Sequence, residues 1–298
     1  MHSQEEVSFR TLDGLTLRGS LYVGGHKVPA IIMTPGFNVT KEFLLPKVAR
    51  YLQAQGITAL VYDPRTVGAS DGTPRNDINP AQQATDYHDA LSFLKSDERV
   101  DPTRIAYWGF SFGGSVALAA AALDKRASAV VAVCPLTQWE LSANRWRGVM
   151  AKAMQDRESQ INGNSAFSIP MLTETGSSPA GFSSGVGTNE LDLFNEAKER
   201  IPGLGLNTTI QTYYNIMAWS PFKCLRFLSP TPVLLISAED DQISPAKDQE
   251  DLICSKIDGP KQMYVVPKRS HMDALDGDSF ESVMDTQIAF LREHLRCA

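Results

Sequence analysis

The 298-residue chain has no apolar run approaching the ~18–20 residues that a membrane helix needs. Residues 1–10 carry Glu5 and Glu6 and lack the apolar stretch of a secretory signal, so no such signal is expected. Arg296-Cys297-Ala298 matches neither a retention nor a peroxisomal address. Positive charge is not in excess: 28 Lys and Arg stand against 34 Asp and Glu, a net charge of −6. Without a basic surplus to displace counterions, a nucleic-acid partner is not expected. Cysteine is scarce. Cys134, Cys224, Cys254 and Cys297 fall at no metal-binding or redox spacing. They read as reduced thiols of a cytoplasmic protein, with Cys134, inside an apolar run, as a small core residue. A phosphate-binding G-x-x-x-x-G-K-[ST], an H-E-x-x-H and a dinucleotide fingerprint are all missing, so neither cofactor nor metal is expected. What is there is a globular composition, 43% hydrophobic and 21% charged, on a chain long enough to bury a large core.

Residues 7–11 and 15–23 alternate apolar and polar around Asp13-Gly14, the pattern of a hairpin. Short uninterrupted apolar runs then alternate with helical periodicity. The runs are 30–33, 57–62, 105–108 and 129–134, and the helical stretches are 40–55, 80–95 and 112–123. Strands without polar alternation, each followed by a helix, imply an α/β fold with a mostly parallel sheet and helices on both faces. The pattern breaks over 137–229. Helical candidates at 149–159, 191–200 and 208–218 surround a Gly/Ser-rich stretch, 162–188, and no β-run is evident. Trp139, Trp146, Phe167, Phe182, Tyr213, Tyr214 and Trp219 make the segment too aromatic for a disordered linker. It reads as a helical cap, 137–229, inserted into a core made of 1–136 and 230–298. The core pattern resumes with strands at 232–237 and 262–266 and helices at 245–257 and 278–295.

The chemistry is expected at Gly109-Phe110-Ser111-Phe112-Gly113. An apolar strand runs into this G-x-S-x-G and a helix of small residues runs out, the setting in which a serine stands exposed on a tight elbow. A serine hydroxyl needs a base, and the base needs an acid to orient it. Of the five histidines (His2, His26, His88, His271 and His294), only His271 follows a parallel strand, where sites of open α/β sheets collect. The acid should fall between the two in sequence, after another strand. Asp241 is the first choice and Asp240 the second. An oxyanion formed at the carbonyl needs backbone donors: the N–H of Phe112, next to the serine, and that of Phe37 in Thr34-Pro35-Gly36-Phe37, since proline has none to give. Asp63, Arg65, Gly68, Ser70 and Asp71 form a polar loop read as scaffold.

These residues resemble the α/β-hydrolase superfamily over nearly the whole chain. The resemblance rests on the order Ser111, Asp241, His271, the Gly36-Phe37 turn, and Tyr62-Asp63-Pro64-Arg65 followed by Gly68-Ala69-Ser70-Asp71-Gly72. The core is similar to the dienelactone-hydrolase and X-Pro peptidase-like branch. FRTLDGLTLRGSLY, TPGFNVTKE, YDPRTVGASDGTPRNDI and AVCPLT resemble fungal polyketide-cluster hydrolases and acyltransferases, the fumagillin polyketide transferase family. That resemblance implies a polyketide thioester, delivered by the acyl carrier of a polyketide synthase, as substrate. It implies chain release by hydrolysis, acyl transfer or Claisen/aldol-type condensation through a Ser111 acyl-enzyme. The aromatics Trp139, Phe182, Tyr213 and Trp219 would then line an apolar groove for the chain, or form only the core of the cap. The oxyanion turn departs from the superfamily's frequent His-Gly, which leaves its donor open. Three other readings share the residues: a carboxylesterase of small esters, a non-catalytic binding protein of this fold, and a lyase or aldolase in which Ser111 is not acylated. The oligomeric state is open, a homodimer included.

Overall fold

The apolar runs become the inner strands of one eight-stranded sheet in the computed structural model, which describes residues 4–182, 186–201, 204 and 207–295. His2, Cys297 and the C-terminal tripeptide lie outside those residues. In chain order the elements begin with β1 (Gln4–Arg10), β2 (Thr16–Tyr22), β3 (Val28–Thr34), α1 (Leu45–Ala54), β4 (Thr58–Tyr62), α2 (Pro80–Lys95), β5 (Val100–Phe110), α3 (Phe112–Leu123) and β6 (Ala129–Val133). There follow α4 (Trp146–Ile161), β7 (Ser168–Pro170), α5 (Thr188–Arg200), β8 (Asn207–Thr209) and α6 (Ile210–Met217). The chain ends with β9 (Val233–Ala238), α7 (Ala246–Leu252), β10 (Lys261–Val266) and α8 (Phe280–Leu295). The large sheet runs β1-β2-β4-β3-β5-β6-β9-β10. β1/β2 and β2/β4 pair antiparallel and the other neighbours parallel.

Every residue of β4, β6 and β9 is buried, as strands covered on both faces require. Successive side chains point to opposite faces, and two cores result. Ala30 and Ile32 of β3 join Tyr87 and Leu91 of α2 and Val116 of α3 on one side. Ile31 and Met33 join Val48 of α1 and Val283 and Phe290 of α8 on the other. The start of α2 is set by Asn79, whose side chain accepts the N–H groups of Ala81 and Gln82, with Pro80 in the first turn.

Two expected helices are shortened. The first begins at Leu45 rather than 40, because Leu44 has φ +63° and Pro46 favours a first turn just there. Residues 40–43 form a turn instead, and the Lys41 N–H is held by the Asp63 carboxylate at 2.7 Å. The helix expected over 245–257 stops at Leu252 and gives way to a 3-10 turn, Cys254–Lys256, on either side of which Ile253 and Ile257 are buried.

The stretch between β6 and β9 holds α4, α5 and α6 together with an antiparallel ribbon of β7 and β8, three residues each. Strands so short leave no periodicity to read. Polar groups fasten this stretch to the loop before α2. Thr208 Oγ1 donates to the Asn76 carbonyl (2.7 Å), Thr209 Oγ1 donates to Asp77, and the Ile78 N–H donates to Thr212 Oγ1 (2.8 Å). α5 meets the core through Phe194, which stacks on Phe43 at 5.3 Å and 8°. Among the described residues no helix is long and apolar enough to cross a membrane.

Candidate active site

Ser111 joins β5 to α3 with φ +55° and ψ −120°. Such a backbone costs a non-glycine residue about 1–3 kcal/mol and persists only where the surroundings impose it. Here they do. The Ser111 N–H donates to the Val133 carbonyl (2.8 Å), and its own carbonyl accepts from Gly114 (2.9 Å) and Leu136 (3.1 Å). The elbow is too tight for side chains beside it. A Cβ on Gly109 would run into the Gly113 carbonyl, and one on Gly113 into the Pro35 carbonyl.

The Ser111 hydroxyl lies 2.8 Å from His271 Nε2. His271 follows β10, is 1% exposed, and lies against the Phe110 ring at 5.2 Å. Its Nδ1 is 2.7 Å from Asp241 Oδ2. Asp241 follows β9, and its other oxygen accepts the N–H groups of Ile243 (2.9 Å) and Ser244 (2.7 Å). A carboxylate only accepts, so this geometry suits the tautomer with the ring proton on Nδ1, which leaves Nε2 to accept from serine. Three residues far apart in sequence thus form one hydrogen-bonded line at the carboxyl ends of β5, β9 and β10. Asp240, the second choice of acid, is exposed, and its N–H donates to the Arg269 carbonyl. The other described histidines lie elsewhere: His26 is exposed, His88 bonds to the Ala120 carbonyl, and His294 packs on Phe290.

Cys134 follows β6 with φ +45°, and its sulfur, an Asp241 oxygen and a His271 nitrogen lie within 4.8 Å of one another. Burial, and then the nearby Asp241 charge, hold the thiol well above its usual range. Cys134 is therefore a core residue, as expected, but one packed against the site. These three side chains are a donor set a metal could use, but Asp241 and the His271 Nδ1 are already committed to the hydrogen bonds just described.

The Phe112 N–H is in the first turn of α3, where a helix has no acceptor of its own to offer. The Phe37 N–H has no hydrogen-bond partner among the described residues. Its neighbour Gly36 lies so close that a Cβ there would touch that of Ser111 at 3.4 Å. The polar loop is scaffold. Asp63 takes the N–H groups of Lys41 and Ala69, Arg65 forks onto Asp86, and Arg18 pairs with Asp71.

A cavity of about 90 Å3 opens at Ser111 and His271, walled by Phe37, Val39, Phe43, Phe110, Leu136, Met171, Leu172, Phe182, Phe194, Tyr213, Ile243 and Met272 among others. Of the four aromatics expected to line a groove, Phe182 and Tyr213 are on this wall. Trp139 and Trp219 are not. Trp139 donates from Nε1 to the Leu136 carbonyl (2.9 Å) and packs behind the wall, 4.9 Å from Phe112 and 4.8 Å from Trp219. Sequence reasoning missed Phe43, Met171 and Phe194. Phe43 looked like one face of a helix that begins two residues later, and Met171 sits in a Gly/Ser-rich stretch with no periodicity to mark it.

A mostly parallel sheet that presents a serine, an acid and a histidine from the carboxyl ends of its strands is the architecture of the α/β hydrolases. The chain belongs to that family, whose model, described as the alpha/beta hydrolase fold, matches residues 29–278. Within the family it is 46% identical over 290 residues to a thiohydrolase of Eupenicillium brefeldianum, covering 97% of this chain and 94% of that one. It is 40% identical over 298 residues to the polyketide transferase af380 of Aspergillus fumigatus, covering 98% and 99%. Among solved structures, the α/β hydrolase GrgF of a Penicillium species superposes with a TM-score of 0.91 at 38% identity, covering 99% of this chain and 100% of that one. The protein is accordingly an α/β-hydrolase-type enzyme, an acyltransferase or hydrolase of the kind found in fungal secondary metabolism.

Proposed function

We propose that the protein releases a polyketide chain from the acyl-carrier thioester of a polyketide synthase through an acyl-enzyme on Ser111. The observation that carries this reading is the hydrogen-bonded line Ser111–His271–Asp241, at 2.8 and 2.7 Å, opening on an apolar cavity. In the first half-reaction His271 Nε2 takes the hydroxyl proton as Ser111 Oγ bonds to the thioester carbon. Asp241 steadies the imidazolium, and the N–H groups of Phe37 and Phe112 hold the oxyanion. The carbon–sulfur bond then breaks, and the imidazolium returns its proton to the departing thiolate.

In the second half-reaction an acceptor attacks the ester, its proton passing through His271. Water yields the free acid, a hydroxyl yields an ester, and a carbon nucleophile yields a condensation product. The thiohydrolase and polyketide-transferase relatives, by their names, are divided between the first outcome and transfer. Residues 137–229 act as the cap, and the apolar wall they share with the core favours chain over water. Phe182 and Tyr213 bind the acyl chain from this wall, while Trp139 and Trp219 buttress it.

The test is labelling with a fluorophosphonate beside a thiol-release assay on an N-acetylcysteamine thioester. Wild type should label on Ser111 and release thiol, and Ser111→Ala should do neither. A folded wild-type protein that releases thiol without labelling would overturn the acyl-enzyme.

A further inference from the structure

A second cavity, of about 260 Å3, adjoins the first, and Met171, Leu172 and Phe194 line both. One wall is made by a face of α5, apolar at Leu191 and Phe194 and polar at Asn195 and Lys198, which fall at the i, i+3, i+4, i+7 spacing that puts them in one row. The cavity is therefore graded. It is apolar where it meets the catalytic chamber and carries two amide side chains, Asn195 and Asn207, and a cation toward solvent. Lys198 is exposed and makes no ion pair or hydrogen bond among the described residues, even though Glu174 belongs to the same lining. The lysines and arginines around the sheet are mostly engaged, as Lys41, Lys47, Arg65 and Arg99 are. Lys198 thus stands as an uncommitted cation on the lining of the cavity that adjoins the serine's.

We propose that this second cavity is the subsite for a 4′-phosphopantetheine arm, the group that carries a thioester on an acyl carrier. The inference rests on the thioester reading above and adds to it where the leaving group lies. The chemistry matches along the length of the arm. The thioester end enters the catalytic chamber past Met171, Leu172 and Phe194. The two amides of the arm face Asn195 and Asn207, which can donate and accept at once. The phosphate, acceptor-only and anionic, meets the ammonium of Lys198. Phe194 stands between chain and arm, since its ring stacks on Phe43 and the residue lines both spaces.

The experiment presents one acyl group on three thiols: N-acetylcysteamine, pantetheine and 4′-phosphopantetheine. Wild type and Lys198→Glu are compared, and Lys198→Arg serves as the conservative variant. The expected result is a KM that falls from pantetheine to phosphopantetheine in wild type. Lys198→Glu should raise KM for the phosphorylated thioester by about tenfold, as for an exposed pair turned from attraction to repulsion, with kcat unchanged. It should leave the N-acetylcysteamine thioester unaffected, and Lys198→Arg should restore the preference. The same loss with a holo-carrier thioester identifies the carrier as the source of the arm; a loss confined to coenzyme A thioesters identifies free coenzyme A. Equal effects of Lys198→Glu on all three thiols, or none on any, overturn the subsite while leaving the thioester reading intact. Absence of turnover on every thioester in wild type overturns that reading and the subsite with it.

Discussion

At the scale of single residues, the account distinguishes groups that react from groups that hold them. Ser111→Ala removes the proposed nucleophile and should lower kcat by about 10⁴–10⁶-fold, with folding unchanged by circular dichroism. Asp241→Asn keeps the shape but offers an amide to His271 Nδ1. The ring is then free to place its proton on Nε2, where it cannot accept from serine, and kcat should fall by about 10⁴-fold. Asp240→Asn, one residue earlier, should leave kcat unchanged, because that side chain is exposed to solvent. Steady-state thiol release for the three variants separates these outcomes. A large loss in Asp240→Asn with a small one in Asp241→Asn would reassign the acid. The meeting of Ser111 with His271 was legible in sequence because each has an abrupt local context, a glycine-flanked elbow and a polar loop after an apolar run. The acid was less sharply marked, since Glu239, Asp240 and Asp241 are adjacent. What separates them is the turn that buries the last of the three and points the N–H groups of Ile243 and Ser244 at it.

Elements position these residues, and their sequence signals differ in strength. α2 and α3 match their sequence readings, one through the Asn79 cap and Pro80, the other through a run of small residues that the sheet buries. α1 did not match. Its periodicity continues backward through Phe43, but the positive φ of Leu44 and the pull of Asp63 on the Lys41 N–H turn that stretch into cavity wall. The elbow tolerates least change. Gly113→Ala forces a methyl into the Pro35 carbonyl and should cost about 1–3 kcal/mol or more, read from the urea midpoint, with loss of activity because the Gly36-Phe37 turn must move. A neutral result would show the elbow to be looser than its contacts imply.

Acid should act on the turn before β5. The Arg99 hydrogen bond at Asp97 holds its carboxyl below the ordinary aspartate value of 3.8. A depressed folded value contributes stability that is full above 3.8 and is lost as pH falls through the folded value below it. Asp97→Asn should therefore flatten the decline of the urea midpoint below about pH 3.8, and an unchanged slope would remove this pair from the acid response.

At the scale of the whole molecule, the sheet and its two cores were readable because uninterrupted apolar strands and amphipathic helices obey fixed periods. The stretch between β6 and β9 was not, beyond its helices. Its ribbon strands have three residues each, and its attachment is a handful of threonine hydroxyls with no pattern to announce them. Those hydroxyls make a further prediction. Thr212→Val takes the acceptor from the buried Ile78 N–H, which should cost about 1–3 kcal/mol and loosen α6 over the cavity. The measurement is the urea midpoint together with the ratio of free acid to transferred product, which should rise as water gains entry. A variant that is destabilised without a change in that ratio would show that this attachment does not control access.

The central claim is that the polyketide chain is carried on Ser111 between leaving one group and joining the next. Rapid-quench intact-mass measurement during turnover of an acyl thioester addresses it most directly. The account predicts a mass increase equal to the acyl group, located to the peptide containing Ser111 and missing in Ser111→Ala. Turnover in Ser111→Ala at the wild-type rate, with no acylated protein in either form, would contradict it.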